Sequence, residues 1–255
     1  MAQSGGPTIR GVYRYPVKGL SPEPLERVEL KAGETVPFDR AYAIENGPGR
    51  FDPDHPRYLP KIHFLMLMRD ERLATLQTKF DDASATLTIL RDGKQVARGQ
   101  LTTPLGRQMI EQFLAAYMDE ELRGAPKIVF SQGHSFSDVT AKRVHIVNLA
   151  SVGELERAVG SVVNPLRFRP NIVIEGAAPW EEFSWIDHEI SVGGAKLAVL
   201  ERTARCAATN VDPDTGKRDM AIPSVLQRTW GHTYFGVYAR VSQDGAIAIG
   251  DSITT

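Results

Sequence analysis

One cysteine, Cys206, stands in the segment Arg205-Cys206-Ala207-Ala208-Thr209-Asn210-Val211-Asp212-Pro213-Asp214-Thr215-Gly216. With no second cysteine it cannot close an internal disulfide, and a structural zinc or iron–sulfur site would lack its partner ligands. Four uses remain: an inert buried thiol, a nucleophile, a sulfur carrier, or one protein ligand to a thiophilic metal whose other ligands come from a cofactor. Arg202 and Arg205 lie close in sequence and favour the thiolate that the last three need. Free cysteine is also among the most buried residue types, so an unreactive core thiol competes with all of them.

Other chemistries are poorly supported. Gly133-His134-Ser135-Phe136-Ser137 begins like a nucleophile elbow, but Ser137 occupies the place of the closing glycine, which disfavours a serine hydrolase. The six histidines are scattered and form no His-x-x-x-His face for zinc. Asp212-x-Asp214-x-Gly216 opens like a calcium loop, yet Pro223 stands where the bidentate acid belongs, so a turn built on Asx and glycine chemistry is the simpler reading. No phosphate-binding or dinucleotide glycine fingerprint is present.

Lys+Arg number 30 against 31 Asp+Glu, which leaves no basic surplus for a broad nucleic-acid contact but permits a local pocket for a small anion. The start, Met1 to Pro7, lacks a basic region followed by an apolar run, and the longest apolar run, Phe64 to Met68, is too short for a bilayer. With one cysteine and no export signal, the expectation is a soluble cytoplasmic protein with neither membrane nor nucleic acid as partner.

The elements that must position these residues are mostly strands. Gly11 to Val17, Leu25 to Leu30 and Arg40 to Glu45 alternate, with Pro16, Pro22 and Pro24 interrupting pairing. Thr86 to Val96 reads as a hairpin about Asp92-Gly93. Thr103 and Pro104 open a helix with Leu105, Met109, Ile110, Phe113, Leu114 and Tyr117 on its inner face. Gly124-Ala125-Pro126 marks a boundary between modules, 1–123 and 124–255. Beyond it, Val144 to Val147 and Asn171 to Glu175 read as strands, and Ser151 to Glu154 as a capping box opening a helix. Glu189 to Leu200 reads as a hairpin, Ser224 to Thr229 as a helical turn or two, and Tyr234 to Ile249 as a closing hairpin. The expected fold is mainly β (α+β), a β-barrel domain with flanking helices behind a smaller β-rich module.

Tyr15-Pro16-Val17-Lys18-Gly19, Phe168-Arg169-Pro170-Asn171-Ile172-Val173-Ile174 and the Arg205-Cys206 to Thr215-Gly216 segment together resemble the MOSC domain family, named for the C-terminal end of molybdenum cofactor sulfurases. Asp138, Gly236 and Gly250-Asp251 fall where that pattern expects them. The first part, with Asp39-Arg40, looks like the β-barrel module that precedes MOSC in many members, and the layout is similar to the mitochondrial amidoxime-reducing component and its bacterial counterparts. Neither the membrane-anchoring N-terminus of the mitochondrial members nor the C-terminal ferredoxin domain of some bacterial ones is expected of this chain.

The resemblance implies a molybdenum cofactor, a pterin (molybdopterin) whose two dithiolene sulfurs hold molybdenum together with oxo groups and one cysteine, here Cys206. It places Lys18, Arg40 and Arg169 at the pterin phosphate, Asn171 at its amide-like edge, and Arg205, Thr209 and Asn210 against the cofactor. For Lys18 and Arg40 the competing reading is a solvated surface charge. Asp212 is the candidate to move a proton, against a plain turn aspartate. Trp180, Trp185 and Trp230 border a substrate pocket or pack the core. The implied function is reduction of a small N-hydroxylated or N-oxide substrate, with electrons from a separate ferredoxin, flavoprotein or cytochrome. The alternatives are a persulfide carrier or cofactor-delivery protein acting through Cys206, and a cofactor-binding module without turnover. Pyridoxal phosphate is not expected, since no aminotransferase-like domain is present to hold it.

Overall fold

The computed structural model describes residues 6–255. Its first half contains β1 (Thr8–Arg14), β2 (Glu23–Leu25), β3 (Arg27–Leu30), β4 (Tyr42–Glu45), β5 (Gln77–Asp81), β6 (Thr86–Arg91), β7 (Lys94–Gln100) and α1 (Pro104–Tyr117). After these come β8 (Lys127–Phe130), β9 (Val144–Asn148), α2 (Leu149–Val159), β10 (Ile172–Glu175), β11 (Glu189–Val192), β12 (Ala195–Ala204), α3 (Ile222–Trp230), β13 (Tyr234–Gln243), β14 (Gly245–Ala248) and β15 (Ile253–Thr254). The mainly β expectation holds: eight strands in the order β15-β11-β12-β13-β9-β10-β1-β2 curl into a half-barrel with helices outside.

The way β1 ends delivers the first site residue. Pro16 has no N–H to offer a ladder, and the Tyr15 N–H donates instead to Asp39 Oδ1 at 2.9 Å. The chain then crosses to β4, where the Lys18 N–H donates to the Tyr42 carbonyl at 2.8 Å. The strand expected over Arg40 to Glu45 begins only at Tyr42, because Phe38 and Arg40 hold positive φ angles of 63° and 53°. At the Asp92-Gly93 turn both residues have positive φ, 52° and 74°, as a two-residue hairpin loop requires.

Three expectations are corrected. The inner face of α1 centres on Gly106, Ile110 and Leu114, while Leu105 and Met109 are 68% and 50% exposed. Gly106 causes the rotation: a Cβ there would collide with the backbone of Gln100, so the helix lies on β7 through its glycine. The capping box is not one either. Asn148 caps α2, its Oδ1 accepting from the Ala150 N–H at 3.0 Å, and Ser151 is buried one turn in, donating to the Glu182 carboxylate at 2.9 Å. Nor does the last segment close a hairpin on β13, since β14 pairs antiparallel with β3, Gly245 opposite Leu30 and Ala248 opposite Arg27.

The largest apolar core fills the half-barrel and includes Ile9, Val12, Val144, Ile172, Trp185 and Val237. A second lies between α1 and β4 to β8, around Tyr42, Leu65 and Ile110. A third joins α2 and α3 to Phe168 and Phe235, with Trp180 and Trp230 against it. All three tryptophans therefore pack cores. Among the described residues no helix is long and apolar enough to cross a membrane.

Candidate active site

A cleft of about 440 Å3 opens where the turn after β1, the segment before β4, the Lys61 to Met68 stretch and the ends of β9, β10, β12 and β13 converge. One end is cationic. Arg40 and Arg169 bracket the ring of Tyr15, their guanidinium carbons 4.6 and 4.1 Å from its centroid. Arg40 pairs with Asp39 and donates to the Arg169 carbonyl at 3.3 Å. Arg169 leaves a short 3-10 turn (Pro165–Phe168) in the left-handed region, φ 52°, which aims its side chain back to the Leu20 carbonyl at 2.8 Å. Burial, with Arg40 close by, lowers Arg169 to about 10, so it stays charged at neutral pH.

Lys18 is 7% exposed, donates to the Phe136 carbonyl at 2.7 Å and pairs with Asp138. Burial lowers its pKa, against the pull of Asp138. Asp138 feels the converse: partial desolvation opposes its charge, but Lys18 and then Lys61 outweigh it and hold the carboxyl at about 2. The Asp138 side chain is 49% exposed by area, so solvent screens these pairs.

Cys206 begins the 3-10 turn Ala207–Asn210 that follows β12. Lys61 reaches it from the first half of the chain, Nζ donating to Sγ at 3.3 Å, and lies 3.8 Å from Asp138. Burial opposes the Lys61 charge, yet Asp138 and Cys206 prevail and raise its pKa. Arg205 turns the other way and donates to the Phe168 carbonyl at 2.8 Å. Beneath them His145 is buried, its pKa pushed well below the ordinary value by burial and by Arg205, so its imidazole is neutral at neutral pH.

Eight cationic side chains border the cleft, Lys18, Arg40, Lys61, Arg143, Arg167, Arg169, Arg202 and Arg205, against three carboxylates, Asp39, Asp138 and Glu201. The whole chain carries a formal charge of only −1, so this excess is local. Several donors are also left over. Arg169 Nη2 and the Nε atoms of Arg143, Arg167 and Arg205 are buried without a hydrogen-bond partner among the described residues, and His145 Nε2 shares that state. A buried unmade hydrogen bond costs about 1–3 kcal/mol.

Of the residues singled out in the sequence, Lys18, Arg40, Arg169, Asn171, Arg205 and Cys206 reach the cleft. Thr209, Asn210 and Asp212 are not on its wall. Thr209 Oγ1 donates to the Cys206 carbonyl at 2.9 Å, and Asn210 Oδ1 accepts from the Ile222 N–H at 2.9 Å. Asp212 Oδ1 accepts from the Thr215 N–H and hydroxyl at 2.8 and 2.9 Å, and its Oδ2 from Arg167 at 2.9 Å, which is the turn role. Asn171 spends its amide on backbone, accepting from the His145 N–H at 3.1 Å and donating to the Tyr13 carbonyl at 3.2 Å. Lys61, Arg143, His145, Tyr238 and the Met66 to Met68 wall join the site without having been singled out. The one sequence signal among them was the histidine inside an apolar strand, Val144-His145-Ile146-Val147.

Residues 127–254 match the MOSC domain, and residues 6–121 match the MOSC N-terminal beta barrel domain. The chain belongs to the MOSC domain family. This MOSC chain is 27% identical over 240 residues to mitochondrial amidoxime reducing component 2 of Rattus norvegicus, covering 86% of the chain and 65% of the relative. It is 30% identical over 283 residues to mitochondrial amidoxime-reducing component 1 of Homo sapiens, covering 96% and 82%. It is 25% identical over 248 residues to a molybdenum cofactor sulfurase of Caenorhabditis elegans, covering 93% and 34%. The MOSC chain thus spans just under two thirds of the rat relative and about a third of the sulfurase.

Proposed function

We propose that this MOSC chain binds the molybdenum cofactor in the cleft and reduces small N-hydroxylated or N-oxide substrates, with electrons from a separate donor. One observation carries the reading: a cleft with surplus positive charge and unpartnered buried donors has a single soft thiol on its wall. The donor set suits an anionic, phosphate-bearing guest. Arg40 and Arg169 offer planar forks and Lys18 a point charge, and Arg169 Nη2 still lacks an acceptor among the described residues. Cys206 would give the metal one soft sulfur. Among the described residues no group of three or more His, Cys, Asp and Glu side chains is placed to hold a metal, so its remaining ligands would come with the cofactor.

When bound, the cofactor supplies the two-electron change that takes oxygen from nitrogen. The chain's residues set the surroundings for that exchange. Lys61 holds a proton at Nζ beside Sγ, and Asp138 keeps Lys18 and Lys61 oriented as a lasting carboxylate. The neutral ring of His145 adds no charge to the crowded cations. Support for the reaction class comes from relatives named for amidoxime reduction.

Expression in a host that makes the cofactor, followed by elemental analysis, tests the reading. Stoichiometric molybdenum that is lost in Cys206→Ala, with reduction of an aromatic amidoxime by the chemically reduced protein, is the expected result. Protein free of molybdenum from such a host overturns it. In that case a mass gain of one sulfur on Cys206 after incubation with a cysteine desulfurase would favour a persulfide carrier.

A further inference from the structure

The Asp-Pro-Asp-Thr-Gly run lies off the cleft wall, and its geometry gives it another task. Val211 and Arg218 bridge antiparallel, the Asp212 N–H donates to the Lys217 carbonyl at 2.8 Å, and the Gly216 N–H donates to the Asp212 carbonyl at 2.9 Å. The run is a small hairpin. Gly216 seats it against the other half of the chain: φ is 69°, and a Cβ there would stand 2.9 Å from Thr75 Cγ2 and 3.1 Å from the Glu71 carbonyl.

The hairpin ends on Arg218, which joins two walls of the cleft. Its Nη2 donates to the carbonyls of Leu67 at 3.2 Å and Met68 at 2.7 Å and pairs with Glu71 at 2.9 Å. Its Nη1 donates to the carbonyl of Ala207, next to Cys206, at 3.2 Å. Met66 to Met68 form the apolar wall of the cleft, and methionine side chains adapt readily to differing shapes. Without Arg218 nothing else described ties the Leu67 and Met68 carbonyls to the Cys206 turn.

We infer that the 211–218 hairpin is a clip that sets the width of the cleft at Cys206, with Arg218 as its positioning residue. It thereby selects substrates by the girth of their apolar body, a role that rests on the reading that substrate reaches Cys206 through this cleft. Charge-assisted bonds from one planar guanidinium to three carbonyls and a carboxylate hold both walls at once, which a lysine cannot reproduce.

The test uses the full chain from a host lacking the cofactor, where Cys206 is the single labelling site. Rates of alkylation by iodoacetamide and by the bulky N-(1-pyrenyl)maleimide are compared, so any change in thiol reactivity common to both cancels. Arg218→Gln is expected to raise the bulky-to-small rate ratio roughly tenfold, with Arg218→Lys in between and the exposed control Arg27→Gln unchanged. A folded Arg218→Gln with the wild-type ratio overturns the clip, as does equal acceleration of both reagents. If Arg218→Gln does not fold, Glu71→Ala decides: it removes one of the four partners, and a ratio that fails to rise overturns the clip. Neither reagent needs a metal. A shifted ratio in a chain that never takes up molybdenum therefore leaves the clip standing alone, and an unshifted ratio in a molybdenum-binding chain removes only the clip.

Discussion

The ammonium of Lys61 donates to the sulfur of Cys206 at 3.3 Å across 145 residues of sequence. Lys61 is 27% exposed and its pKa is raised, burial being outweighed by Asp138 and Cys206, so the charge persists through neutral pH. Lys61→Met is expected to lower the turnover number for an N-hydroxylated substrate about tenfold to a hundredfold with little change in KM. Lys61→Arg should recover most of the loss. Steady-state kinetics on molybdenum-loaded protein measures both.

Asp138 makes stability depend on acid. Its carboxyl is held at about 2 in the fold, below the ordinary 3.8, so its contribution is complete above pH 3.8 and disappears as pH falls through about 2. Urea unfolding of Asp138→Asn should show a deficit at neutral pH that closes at about pH 2. The deficit will be modest, since half of the side chain meets solvent. A deficit constant across that range would contradict the ion pairs.

Asp212 is expected to matter for folding and not for the reaction. Asp212→Asn keeps an acceptor for the Thr215 N–H and hydroxyl but loses the charge facing Arg167, which retains Asp219 at 2.8 Å. A loss of about 1 kcal/mol in stability with an unchanged pH–rate profile is the expected outcome. Loss of one limb of that profile would return Asp212 to proton transfer.

Gly236 sits within β13 at φ 72°, and an added Cβ would stand 2.5 Å from the Ile146 carbonyl and 2.7 Å from His145 Nε2. Gly236→Ala should therefore cost about 2–4 kcal/mol in denaturant unfolding. Its effect on the cleft would follow through His145.

The cationic end offers a test that needs no metal. Inorganic pyrophosphate should raise the melting temperature of cofactor-free protein above that in chloride of equal ionic strength, by the linkage between ligand binding and folding. Arg169→Gln, which removes the unpartnered Nη2, should abolish most of that rise. Equal stabilisation of both proteins would place the anion elsewhere.

What the sequence made legible was whatever announces itself locally. Hairpin turns at Asp92-Gly93, the Thr103-Pro104 helix start and the lone cysteine all carry their physical reason within a few residues. Lys61 does not: nothing about Pro60-Lys61-Ile62 says that its ammonium meets a sulfur far along the chain. The same limit explains Ser151, whose burial against Glu182 depends on a segment 31 residues away, and α1, whose orientation is set by contact of Gly106 with Gln100. Asp212 shows a different limit, since one carboxylate pattern serves equally for chemistry and for folding a turn, and its partners here are those of a turn.

Pairing of Arg27–Leu30 with Gly245–Ala248 ties together two strands that lie far apart in the sequence. Until synthesis passes Ala248, the early strand waits with open hydrogen-bonding edges, exposed to mispairing with other nascent chains. A chain that stopped before Gly245 would accordingly leave the Arg27–Leu30 edge without its ladder partner for good.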